Sequence, residues 1–158
     1  MITITNAQRK YAIDVPMLKA AATAMLAELE YSDFDVGILI CNGERMAEYN
    51  SGYRGKEGPT DILSFPYHDT LKAGERIEAE SPEDKNIGDI ILCPEIIEKK
   101  RHDWNRSFDD QCIVLLAHGI AHLLGHDHEM DEEYVVMQAL EDKLLSAAHK
   151  VSKGLADC

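Results

Sequence analysis

The residues most suited to chemistry lie in one short stretch, His118-Gly119-Ile120-Ala121-His122-Leu123-Leu124-Gly125-His126-Asp127-His128. His118 and His122 are four residues apart. On a helix that spacing stacks two side chains on one face, with Cβ atoms about 6 Å apart. Two imidazoles so placed can converge on one small cation. A glycine at position 125 can end the helix in a left-handed cap and turn the chain. His128 lies three residues beyond it and can swing back as a third ligand. Three protein nitrogens leave one position open for water, the pattern of a catalytic zinc. The expected cofactor is therefore one Zn2+ per chain, held by His118, His122 and His128. His126 shares the turn, but its parity against His128 sets it outside the ligand set. His68, His102 and His149 have no partner at ligand spacing and are expected at the surface.

This spacing matches the metzincin pattern H-E-x-x-H-x-x-G-x-x-H with one exception. Gly119 stands where that pattern has a glutamate. A metalloprotease uses that carboxylate to take a proton from the zinc water. Without it, peptide hydrolysis needs a carboxylate from elsewhere, and Glu129 is the candidate. Otherwise the site is a hydrolase whose water is activated by the metal alone, by another side chain or by the substrate.

A second segment carries a longer pattern: Asn50-Ser-Gly-Tyr-Arg54-Gly-Lys-Glu-Gly-Pro-Thr-Asp-Ile-Leu-Ser-Phe-Pro66. Together with Gly88-Asp89-Ile90 and the histidine stretch, it closely resembles the bacterial YbeY family of endoribonucleases. The resemblance runs in order over about residues 34–145. It implies a metal-dependent endoribonuclease that favours single-stranded RNA. It also implies roles in ribosomal RNA maturation, at the 3′ end of the small-subunit RNA, and in ribosome quality control. By the same resemblance His118, His122 and His128 are the metal ligands and Arg54 is the catalytic arginine. A planar guanidinium can bind two phosphate oxygens, which suits that role. The implied partners are ribosomal RNA, the small ribosomal subunit, a small-subunit ribosomal protein and an Era-like GTPase. The sequence departs from the family at Ala121, usually leucine, and at His126, usually tyrosine.

These side chains need a scaffold, and the chain predicts one. Ile2 to Thr5 alternates as a short strand. Asp14 caps a helix with Pro16 in its first turn and Leu18, Ala21, Ala22, Met25, Leu26 and Leu29 on one face. Val36–Cys41 is an apolar strand, and Asn42 caps a helix to about Gly52. Arg54 then falls in a glycine-rich loop. Asp61–Pro66 is a strand, 67–86 a long polar loop, and Ile87–Cys93 another strand. Pro94 begins a helix through about His102. Ser107 or Asp109 caps the helix that bears His118 and His122. Asp131 caps the last helix, with Tyr134, Met137, Leu140, Leu144 and Ala148 on its core face. The expected fold is α+β: a small mixed sheet of about four strands with covering helices and a zincin-like metal helix. Asp127 orients a ligand imidazole or caps a turn. Thr60 and Asp61 are expected to fix the loop carrying Arg54.

Composition sets the frame. The 158 residues suit one domain, 1–158, with enough burial for a core. No apolar run approaches the roughly 20 residues that span a bilayer, and the first residues do not read as a secretory signal. A cytoplasmic protein with no membrane partner is expected. Cys41, Cys93, Cys112 and Cys158 form no C-x-x-C pair and read as reduced thiols, the first three in core positions. The net charge of −13 opposes general nucleic-acid affinity, though it allows a local basic groove. That charge and Gly119 motivate a second reading, a ribosome-assembly binding factor whose metal is structural.

Overall fold

Alternating apolar residues build the sheet. In a computed structural model, strands β1 (Ile2–Asn6), β2 (Asp35–Ile40), β3 (Ile62–Pro66) and β4 (Asn86–Leu92) form one sheet in the order β1-β2-β4-β3. The description covers the backbone of residues 1–156 and the side chains of 1–151, so Cys158 lies outside the described residues. β1, β2 and β4 run parallel, and β3 pairs antiparallel with β4 at the sheet edge. Pro66 is tolerated there because an edge strand needs no donor on its free side. Val36, Ile38 and Ile40 of β2 and Ile87, Ile90 and Leu92 of β4 face the core.

Among the described residues five α-helices accompany the sheet: α1 (Val15–Glu28), α2 (Gly43–Arg54), α3 (Pro94–Arg101), α4 (Phe108–Leu123) and α5 (Asp131–Ala156). The mixed α+β arrangement is the expected one. Side chains cap three of the helix starts: Asp14 accepts from Met17 N–H at 3.0 Å, Asn42 from Arg45 at 2.9 Å, and Ser107 from Asp110 at 3.1 Å. Each such cap contributes about 1 kcal/mol. Ser107, not Asp109, therefore starts α4.

Two helix boundaries and one core-face residue differ from the expectation. α2 continues past Gly52 to Arg54, because the left-handed stop is Gly55 (φ 64°). Arg54 thus sits in the last helical turn rather than in a loop. Asp131 is the first residue of α5 rather than its cap, and with Glu132 and Glu133 it places negative charge at the positive helix end. Met137, Leu144 and Ala148 are buried as expected, but Tyr134 is 55% exposed. It lies about 60° round the helix from Met137, in the terminal turn.

α4 is the central element. Cys112, Ile113, Leu116, Ala117, Ile120, Ala121 and Leu123 are all buried, between the sheet and helices α1, α3 and α5. Cys41 and Cys93 are buried as well, in a second apolar cluster with Met46 and Leu63. The long loop after β3 contains a 3₁₀ turn at Pro82–Asp84. It is fastened by Ile77, which is buried and donates its N–H to Tyr31 at 3.1 Å, and by Arg76, whose guanidinium lies 4.1 Å from the Tyr31 ring centre. Among the described residues no helix is long and apolar enough to cross a membrane.

Candidate active site

His118 and His122 project from the last turns of α4, half-buried, where the helix emerges from the core. The helix then stops in a Schellman motif. Gly125, with φ 89°, donates to His122 O at 3.0 Å, and His126 donates to Ala121 O at 3.1 Å. A side chain at 125 would place its Cβ 2.3 Å from the Leu71 carbonyl oxygen, so this turn requires glycine for space as well as for torsion. The chain reverses, and Asp127 accepts from the N–H of His128 at 2.7 Å. Asp127 is thus a turn cap and not the orienting partner of an imidazole. The ligand-capable atoms of His118, His122 and His128 end within 4.8 Å of one another.

The tautomers are set from outside the cluster. His122 Nδ1–H donates to the carbonyl oxygen of His126 at 2.9 Å. His118 Nδ1 contacts Glu141 Oε1 at 2.5 Å. Both partners direct Nε2 inward, and the two Nε2 atoms are 3.1 Å apart. That is close to the ~3.3 Å edge of a tetrahedron with metal–nitrogen bonds of about 2.0–2.1 Å. Burial, then the neighbouring His118, pushes the His122 pKa below the ordinary imidazole range. The neutral, ligating form is thereby favoured.

Glu141 was not among the residues singled out from the sequence. A signal was present: it falls on the apolar face of α5, four residues after Met137 and three before Leu144. A carboxylate with only 15% of its side chain exposed needs a partner, and the partner is a histidine of another helix. His126 is likewise more than a bystander. Its side chain is buried, its Nδ1 has no partner among the described residues, and its carbonyl holds His122. Ala121 and His126, the two departures from the family pattern, are the C3 and C″ positions of the same cap. His102 and His149 are exposed as expected. His68 is not: it is half-buried and bonds Asp84 O at 2.8 Å, clasping the two ends of the long loop.

The three histidines line a cleft of about 800 Å³ that also contains Arg54, Lys56, Asp69 and Glu129. Its far wall is the edge strand β3 with Tyr53 and the loop before it. That loop is held by Asn50, whose side-chain amide donates to Gly58 O at 2.9 Å. Asp61 anchors its end, through Cys93 N–H at 2.9 Å and Lys100 at 3.7 Å, which gives Asp61 the structural role expected of it. Gly119 faces this wall. A Cβ there would lie 2.9 Å from Ile62 Cδ1, 3.1 Å from Ile90 Cδ1 and 3.3 Å from Ser64 Oγ. The position of the metzincin base is thus taken up by close helix–sheet packing.

Comparison with known proteins agrees with this architecture. The family model described as Endoribonuclease YbeY matches residues 3–149. The human protein named Endoribonuclease YbeY is 35% identical over 144 residues, 91% of this chain and 86% of that protein. The protein of that name from Thermoanaerobacter sp. (strain X514) is 34% identical over 151 residues, 92% of this chain and 95% of its own. The solution structure of TM1509 from Thermotoga maritima shares the fold, with a TM-score of 0.58 at 22% identity over 95% of this chain and 93% of that one. By the family match and by identity along nearly its whole length, the chain belongs to the YbeY endoribonuclease family.

Proposed function

We propose that this protein is a metal-dependent endoribonuclease that cuts single-stranded RNA in ribosomal RNA maturation, at the small-subunit 3′ end, and in ribosome quality control. The observation that carries the reading is the convergence of three imidazoles within 4.8 Å in a cleft that Arg54 also lines. Family membership supports RNA as the substrate. It also motivates the cytoplasm as the location, and the small subunit, one of its proteins and an Era-like GTPase as partners.

The donor set fits one zinc ion. His118, His122 and His128 would hold it: the Nε2 atoms of His118 and His122 are at tetrahedral spacing, and the ligand-capable atom of His128 lies within 4.8 Å of them. A bound ion of this kind supplies Lewis acidity and lowers the pKa of water to about 7. The chain supplies the rest. Glu141 and the His126 carbonyl hold the His118 and His122 rings each in one tautomer. Arg54, exposed at the end of α2, offers its N–H groups to phosphate oxygens and offsets charge as it develops in the transition state. Asp69, Asp127 and Glu129 line the cleft without an ion-pair partner among the described residues; Asp127 accepts from His128 N–H, and Asp69 and Glu129 are the other carboxylates placed to take a proton.

The test is cleavage of single-stranded RNA by purified protein, with and without chelator, beside Arg54→Ala and His118→Ala. Arg54→Ala should fold normally and lose about 10²–10³ in rate, the usual cost of one charge-stabilising donor. Equal cleavage by all variants would mean a contaminating nuclease. A protein that unfolds on chelation, with no loss of activity beyond its loss of fold, would favour the binding-factor reading with a structural metal.

A further inference from the structure

Tyr53 is a large aromatic residue kept in water. It is 70% exposed, yet its ring is not loose. Phe65 of β3 meets it edge-on, with centroids 5.1 Å apart and 69° between planes. Tyr49, one helical turn earlier, lies nearly parallel to it at 6.2 Å and 21°. Tyr49 is itself steadied by Arg45, whose guanidinium donates to its hydroxyl at 3.3 Å. An aromatic stripe of this spacing commonly serves a core, and Tyr49 and Phe65 do pack against the second apolar cluster, but Tyr53 stands in water and lines the three-histidine cleft.

Its position matters more than its exposure. Tyr53 is adjacent in sequence to Arg54, and both lie in the last turn of α2. A strand of RNA whose phosphate meets Arg54 would carry its neighbouring base past Tyr53. Single-strand binding sites combine such pairs, a cation on the backbone and an aromatic ring on a base, because every base offers a π-face. Ring packing against Phe65 and Tyr49 orders Tyr53 beforehand, so little side-chain freedom is lost on binding.

We propose that Tyr53 is a base-stacking subsite that binds the nucleobase next to the cut, its ring braced by Phe65 and Tyr49. This rests on the RNA reading above and specifies why the substrate is single-stranded: a base held in a duplex presents no free face.

The experiment uses the full chain as purified and short single-stranded RNA that carries 2-aminopurine, with binding and quenching read by stopped flow in the interval before cleavage. Wild type should quench the probe on binding. Tyr53→Ala should weaken binding roughly 5- to 150-fold, the span alanine substitution gives for one base–aromatic stack, and abolish the quench. Tyr53→Phe and Tyr53→Trp should retain both. Tyr53→Leu keeps an apolar cover on Phe65 but no π-face, so wild-type binding and quenching in that variant would overturn the proposal. So would unchanged binding by Tyr53→Ala, while leaving the RNA reading intact. If wild type neither binds nor cleaves RNA, both fall together.

Discussion

His118 Nδ1 lies 2.5 Å from Glu141 Oε1, across 23 residues of chain. The contact ties α4, which carries His118 and His122, to helix α5, and it decides which nitrogen of His118 faces the cleft. Replacing the carboxylate should leave the fold intact and loosen the metal. Glu141→Gln is expected to lower zinc affinity about 10- to 100-fold, as loss of an outer-shell partner does, measured by competition with a chromophoric chelator. Unchanged affinity with a lower melting temperature would assign Glu141 to packing alone.

Gly125 joins the fold and the site. Alanine there must adopt φ 89° and place Cβ 2.3 Å from the Leu71 carbonyl oxygen. The torsion alone costs about 1–2 kcal/mol. Gly125→Ala should therefore lower the urea midpoint and also weaken zinc binding, because the same turn aims His128 and the His126 carbonyl. A variant with full stability and full zinc affinity would show that the turn has room to relax.

Gly119 marks the divergence from peptide hydrolysis. Gly119→Glu restores the metzincin pattern in sequence but must push aside Ile62 and Ile90. Overpacking of this kind costs about 1–3 kcal/mol, and burying the carboxylate adds to it. The variant should unfold at lower urea concentration and gain no activity on casein. Casein hydrolysis by this variant would reopen the protease reading.

The buried thiols give a pH signature. Burial pushes Cys41 up to about 11 and Cys112 up to about 12. A thiol whose folded pKa is raised favours the fold fully below its unfolded pKa, which is 9.0 here, and loses that contribution as pH rises toward the folded value. In a Cys158→Ser background, native protein at pH 8 should leave Cys41, Cys93 and Cys112 unalkylated by iodoacetamide, and denatured protein should react at all three. Stability should decline as pH rises above 9. Rapid alkylation of the native state would contradict the burial.

Much of this was legible in order along the chain. Local rules placed the caps Asp14 and Asn42, the strands, and the glycine stop at 125, because each depends on residues within one turn of one another. The three-histidine spacing is a local pattern too, and its atoms do converge. What local rules missed was non-local. The strand order β1-β2-β4-β3 comes from packing choices between distant segments. Glu141 becomes part of the site only because α5 crosses α4, and His126 is buried only because the cap folds it inward. Gly119 looked like a missing base, whereas β3 and β4 approach so closely that a side chain there would crowd Ile62, Ile90 and Ser64. The sequence by itself determined which atoms can bind a metal. The tertiary structure decided which tautomer His118 and His122 present, what lines the cleft beside them, and how closely the sheet crowds α4 at Gly119, because each depends on segments far apart in the chain.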